Sequence, residues 1–215
     1  TRVGVASVDK LRAYFNRIRM SGERLLLLLN DLLDLSKFEA GRVILDISRV
    51  DMELVVREVI HEFEALLQIR RLQVTVEREG PPPVIDGDAA KLTQVVRNLI
   101  SNAAKFTPEG KSIHVRLWPE TLPEGRRASD TSRMPGVGIC VSDEGVGIPV
   151  EELDAVFEKF VQSSRTRTGA GGTGLGLAIC REIVVAHRGH VSVRNNPAGR
   201  SEEHTSELQS PCTIS

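Results

Sequence analysis

The chain has 215 residues, a formal net charge of −1 and 40% hydrophobic residues. That length suffices for one sizeable domain with a helical appendage, and the near-neutral charge lacks the basic excess of a polyanion-binding surface, so nucleic acid is excluded as the expected partner. No apolar run reaches the roughly 20 residues that span a bilayer, and three scattered cysteines (Cys140, Cys180, Cys212) have neither metal-ligand spacing nor the density of a disulfide framework, which fits a reducing compartment.

Leu11 to Phe38 reads as one long helix, with Leu11, Phe15, Ile18, Leu25, Leu29 and Leu32 at three-, four- and seven-residue steps. Leu25 to Leu29 is apolar on every side, so the helix is expected to be buried in a bundle, between chains rather than within one. Gly41 ends it. Val50 to Leu72 reads as a second helix entered through Asp51, and Gln73–Glu77 as a strand. Asp88 is expected to cap a helix running to about Lys105. Ile113–Leu117 and Val137–Val141 read as strands, separated by a long mobile loop from Pro119 to Pro135. A helix with Leu153, Val156, Phe157 and Phe160 on one face is expected after Pro149. A glycine-rich loop, a helix from Gly174 to Ala186 and a short strand Val191–Val193 follow. Helices and strands mix without strict βαβ alternation, which points to an α+β fold with helices on one face of a sheet.

Three segments carry chemistry. On the helix after Asp88, Leu92, Val95, Val96, Leu99 and Ala103 form the buried stripe. Asn98, Asn102 and Lys105 stand at i, i+4 and i+7 on a neighbouring face. Two carboxamides and an ammonium in line can hold a hydrated Mg²⁺ and the phosphates it bridges, because Mg²⁺ prefers hard oxygens and keeps its waters; a solvated helix face reads equally well. In Val141–Pro149 a carboxylate, Asp143, ends an apolar strand before Gly145 and Gly147. It can accept a hydrogen bond from an exocyclic amine, or it can simply start a turn. In Thr168–Ile179 five glycines in eight residues precede an apolar helix, an arrangement that lets backbone N–H groups approach an anion. No G-K-[ST] follows, so this is not a Walker loop, and no βαβ unit surrounds it.

Taken together these segments resemble sensor histidine kinases. Asn98-Leu99-Ile100-Ser101-Asn102-Ala103-Ala104-Lys105-Phe106-Thr107 resembles the family's N box, Asp143–Pro149 its G1 box, Phe157-Glu158-Lys159-Phe160 its F box, and Gly172-Thr173-Gly174-Leu175-Gly176-Leu177 its G2 box. All four stand in the family's order. Upstream, Ser21–Leu26 and Asn30–Gly41 resemble the second helix of the dimerisation and phosphotransfer domain. The resemblance implies a Bergerat-type α/β sandwich behind a bundle-forming helix. It implies ATP and Mg²⁺ as cofactors, with Asn102 on the metal, Asn98 supporting it and Lys105 on the phosphates. Asp143 would accept from the adenine amino group, with Gly145 and Gly147 giving the base room. Gln162 to Gly172 would be the ATP lid, with Arg165 or Arg167 reaching the γ-phosphate. Gly172, Thr173, Gly174, Leu175 and Gly176 would cradle phosphate, and Phe157 and Phe160 would pack the base of the lid. Partners would be a second copy, through the leucine-rich helix, and a response regulator, reached through the full phosphotransfer domain, with no membrane contact by this segment. A cytoplasmic location is implied, with membrane anchoring of the parent left open.

The chain departs from the pattern at both ends. It begins with Thr and reads as a fragment: the H box with its phosphoacceptor histidine belongs on a helix before this one. His61-Glu62-Phe63 lies in the wrong helix and no Arg-Thr-Pro follows. His187 and His190 suit capping or surface roles, and His114 a structural one. After Gly199 the expected final strand is replaced by Arg200–Ser210, which resembles the translation of a sequencing-adapter oligonucleotide. The expected organisation is therefore 1–41, a partial dimerisation and phosphotransfer domain; 46–199, an ATP-binding catalytic domain without its last strand; and 200–215, a non-native, poorly ordered tail that leaves Val191–Val193 as an unpaired edge. Two other readings stand beside the kinase: a non-catalytic nucleotide-binding or dimerisation module, and a related ATPase. ATPases of this fold carry a water-activating Glu near the position of Asn98, and Asn cannot act as that base.

Overall fold

The computed structural model describes residues 2–41, 43–123, 133–166, 173–196 and 207–214. Helix α1 (Arg2–Glu39) contains the expected helix and extends it toward the N-terminus. It ends at Gly41, whose φ of +61° suits a left-handed cap and whose N–H donates to the carbonyl of Phe38 at 2.9 Å. Its apolar circumference divides in two. Leu35 is buried, with Leu28 and Phe38 packed against the core, while Leu25, Leu26, Leu29 and Leu32 are exposed. No described helix is long and apolar enough to cross a membrane.

A ribbon of β1 (Ile47–Asp51) and antiparallel β3 (Val84–Asp88) comes next in space, and the sequence reading missed both strands. In β1 only Val50 is buried, so no alternation marks it. Each strand ends on an aspartate that caps the following helix. Asp51 accepts from the N–H groups of Glu53 and Leu54 at the start of α2 (Met52–Glu62). Asp88 accepts from Lys91 N–H at the start of α4 (Ala89–Phe106). The single helix expected from Val50 to Leu72 is instead α2 and α3 (Glu64–Ile69), broken at Phe63, where ψ falls to 0° and the N–H turns to the carbonyl of Ile60.

The main sheet runs β2 (Gln73–Arg78), β4 (Ser112–Pro123), β5 (Arg133–Asp143), β8 (Glu207–Ile214), β6 (His190–Val191), with β7 (Arg194–Asn196) also on β8. Among the described pairings only β2–β4 is parallel. Along β4, Ile113, Val115 and Leu117 face the core and His114 and Arg116 face away. The covering helices α2, α4 and α5 (Gly176–Ala186) supply Met52, Val56, Leu92, Ile100, Ile179 and Ile183, all at 0% exposure. The expected α+β sandwich is therefore present. Arg97 grips Glu62 through two 2.8 Å bonds, tying α4 to α2 and holding the Glu62 carboxyl below its ordinary range.

Three expectations need correction. The segment Pro119–Pro135 is not all loop: β4 runs on to Pro123 and β5 begins at Arg133, paired throughout; residues 124–132 lie outside the described set. The segment after Pro149 is not an α-helix but two 3-10 turns, Val150–Glu152 and Ala155–Phe157. The last strand is not lacking, and Val191 is not left unpaired, although β6 is an edge of the sheet. β8 lies between β5 and β6, pairing with Val137–Asp143 on one side and His190–Val191 on the other. Leu208, Cys212 and Ile214 stand at even positions, but the polar Ser210 interrupts the apolar alternation by which a strand is recognised in sequence. Pro211 falls opposite Cys140 and in the gap between the β6 and β7 pairings, so on that side its missing N–H costs no ladder bond.

Candidate nucleotide site

A cavity of about 320 Å³ opens where α4, the end of β5 and the start of α5 converge, within the usual range of small-molecule sites, roughly 300–1,000 Å³. Asn98, Asn102 and Lys105 line it from α4, Val141 and Asp143 from β5, and Thr173, Gly174, Gly176 and Leu177 from the glycine loop and α5. Val156, Ile148 and Val193 add apolar wall. One cavity thus gathers segments about 80 residues apart.

Asp143 is buried at 6% exposure, and its Oδ1 accepts from the N–H of Gly145 at 2.8 Å. The turn reading and the acceptor reading therefore coincide in one side chain. Gly145 is required by packing: a Cβ there would stand 2.4 Å from Asp143 Oδ1 and 3.1 Å from the carbonyl of Phe106. It makes room for the carboxylate and for the end of α4, one step removed from any base. Gly147 takes φ of +67°. Neither glycine is among the described residues lining the cavity.

Several positioning residues escaped the sequence reading. Asn195 on β7 accepts from Ile148 N–H at 3.1 Å and donates to Ile148 C=O at 2.6 Å, clasping the turn as a strand partner would. Glu144 accepts from Ser112 N–H and anchors the turn to β4. Arg70 donates to the carbonyls of Ala104, Lys105 and Thr107, placing a cation at the C-terminus of α4 beside Lys105. Each of these contacts crosses at least 32 residues of sequence, and no local pattern announces them.

At the other end, Gly174 takes φ of +71°, and a Cβ there would lie 2.8 Å from the backbone of Phe160. Phe160 N–H donates to the Gly174 carbonyl. Phe157 is buried, whereas Phe160 is 62% exposed and meets Gly174 through its backbone. Leu175 is fully buried, and its N–H donates to Thr173 Oγ1 at 3.1 Å. Asn98 Nδ2 donates to the Gly176 carbonyl at 3.1 Å, joining α4 to the first turn of α5. Arg165 donates to the carbonyl of Val146 at 3.0 Å, so here it engages the turn after Asp143. Glu152 accepts from Ser164, which keeps its carboxyl below the ordinary range. Gly172 and Arg167, with the rest of 167–172, lie outside the described residues.

His187 is buried, accepting at Nε2 from Asp88 N–H at 3.0 Å and bonding Ile183 C=O through Nδ1 at 2.8 Å. This network assigns the proton to Nδ1 and makes His187 a tether between the end of α5 and the start of α4. His61 is exposed beside Glu64. Cys180 is wholly buried, and burial pushes its thiol up to about 12. Among the described residues no group of three or more His, Cys, Asp or Glu could hold a metal.

The family model described as "Histidine kinase-, DNA gyrase B-, and HSP90-like ATPase" matches residues 87–210, which include every described wall of the cavity except Asp31. The chain belongs to this family. It is 33% identical over 190 residues to the circadian input-output histidine kinase CikA of Synechococcus elongatus, covering 87% of this chain and 24% of that protein. It is 38% identical over 180 residues to hybrid signal transduction histidine kinase D of Dictyostelium discoideum, covering 83% of this chain and 11% of that protein. The chain thus spans a quarter or less of these relatives and corresponds to the ATP-binding catalytic region of histidine kinases. Among solved structures, full-length ShkA in complex with AMPPNP superposes with a TM-score of 0.72 at 27% identity, over 94% of this chain and 38% of that one. The mycobacterial sensor histidine kinase MprB superposes at 0.61 and 26% identity, over 78% of this chain and 96% of that one.

Proposed function

We propose that this chain binds Mg²⁺·ATP in the cavity and presents the γ-phosphoryl group to a histidine on a separate helix, for relay to a response-regulator aspartate. The observation that carries this reading is the convergence of Asn98, Asn102, Lys105, Asp143, Thr173, Gly174 and Gly176 on one cavity. Adenine would lie at the Asp143 end, against Ile148 and Val193. The phosphates would run past Asn102 and Lys105 toward Thr173, Gly174 and Gly176, with Leu175 holding the loop from below.

The donor set fits Mg²⁺. The ion takes one or two protein oxygens and leaves its other positions to water and phosphate. Asn102 supplies an amide oxygen on the wall, and a site without a carboxylate cluster suits an ion whose counter-charge is the nucleotide. Bound there, Mg²⁺ would neutralise charge that develops on the phosphates. Lys105 would add a cation and the loop backbone would add N–H donors. Transfer breaks the bond from Pγ to the β,γ-bridging oxygen and forms a Pγ–N bond, so the protein need only position and neutralise. Asn98, spent on the Gly176 carbonyl, cannot activate water, which favours transfer over hydrolysis.

The exposed stripe of Leu25, Leu26, Leu29 and Leu32 would pair with a second copy of α1 in a helical bundle. The complex of histidine kinase ThkA with response regulator TrrA is a fold-level precedent for the second partner.

The test supplies Mg²⁺·ATP and a phosphotransfer helix bearing the acceptor histidine. Acid-labile phosphohistidine on that helix is the expected product. Steady phosphate release to water would favour the ATPase, and binding without transfer would favour a non-catalytic module.

A further inference from the structure

Among the described residues lining the cavity, only Asp31 comes from α1. The helix docks along one face: Leu28, Asp31, Asp34, Leu35 and Phe38 follow helical steps, and Leu35 is 2% exposed. Asp34 is matched by a cation, since Lys91 Nζ lies 3.0 Å from its Oδ2 and Gln94 adds a donor. Asp31, about one turn earlier, has a neutral partner: Thr173 Oγ1 donates to its Oδ2 at 3.4 Å. Its carboxyl is half-buried. Burial raises its pKa, the Thr173 bond opposes that, and the charge of Asp34 adds to it. An anionic group is thus held on the wall of a cavity that also carries Asn98, Asn102 and Lys105, against the hydroxyl of the loop that would cradle a nucleotide's last phosphate.

We propose that Asp31 discriminates between nucleotides: seated against Thr173, it penalises a terminal γ-phosphate and tolerates a diphosphate, so triphosphate binding and seating of α1 oppose each other. The inference rests on the nucleotide reading above, which runs the phosphates from Asn102 and Lys105 toward Thr173. A triphosphate would bring its last phosphate to the Asp31–Thr173 pair and compete for the same hydroxyl, whereas a diphosphate ends one group short. Because coupling is reciprocal, a bound triphosphate should loosen the seat of α1 by the factor that the seated helix costs the triphosphate.

The experiment measures dissociation constants of AMPPNP and ADP, each with Mg²⁺, on the full chain and on Asp31→Asn and Asp31→Ala. Asn keeps an oxygen for Thr173 and removes the charge. The ratio of the two constants is the readout, because a folding defect would affect both nucleotides alike. Both variants should shift the ratio toward the triphosphate by on the order of tenfold, the effect of one unit charge several ångströms away at a protein surface, with ADP affinity held within about twofold. An unchanged ratio, or equal tightening of both nucleotides, would overturn the role of Asp31 and leave the site standing. Failure of both nucleotides to bind the parent chain would overturn the nucleotide reading and this inference with it.

Discussion

Gly145 shows how a single position supports the site without touching a ligand. Its missing Cβ leaves space for the Asp143 carboxylate and the Phe106 carbonyl. Gly145→Ala should therefore lower ATP affinity more than tenfold by displacing Asp143, and should cost about 1–3 kcal/mol of stability, the usual penalty for overpacking. Calorimetric titration and urea unfolding of the same sample check both. Cys180 gives a pH prediction. Its thiol is raised from 9.0 to about 12 by burial, so the folded chain holds a proton that the unfolded chain releases in between. Stability should be unaffected below pH 9 and fall as pH rises from there toward 12. Native Cys180 should resist alkylation at pH 8, and modification at the rate of a free thiol would contradict its burial. The boxes made Asp143 and Asn102 legible in the sequence. Asn195 and Arg70 were not, because their worth lies entirely in carbonyls and amides brought to them by the fold.

Helix starts were legible because capping is local. Asp51 and Asp88 each accept from backbone N–H groups two or three residues on. Asp88 does more: it also accepts from Asp46 N–H, and its own N–H donates to His187. Asp88→Ala should cost about 1 kcal/mol or slightly more, near the usual loss of an N-cap, since the backbone bond to His187 survives the substitution. Chemical denaturation measures it, and a neutral result would show that the cap is replaceable. The strands β1 and β3 were illegible, being five residues long with mixed burial. The α1 pattern was legible as greasy, but its division between a docked seam and an exposed stripe depends on a surface that forms only when the catalytic unit folds.

At the scale of the whole molecule, β8 joins β5 to β6 and β7. It is the only described strand that pairs with β6 or β7, and β7 carries Asn195, which holds the turn after Asp143. Truncation after Asn196 should expose the β5 edge, release β6 and β7, and loosen the Asp143 turn by way of Asn195. Hydrogen exchange should then show lost protection across Val137–Asp143; full retention there would mean that β8 contributes little. The order of the boxes carried the overall fold from the sequence, whereas the closing strand depends on a pairing across more than 60 residues.

The proposed role of the cavity is to hold a nucleotide by its adenine at Asp143. Its most direct test is titration of the full chain with AMPPNP and Mg²⁺, in parallel with Asp143→Asn at matched thermal stability. One saturable site is expected in the parent and at least a tenfold weaker one in the variant, with the remaining binding still dependent on Mg²⁺. Equal affinity in the two proteins, or no binding in the parent, would contradict it.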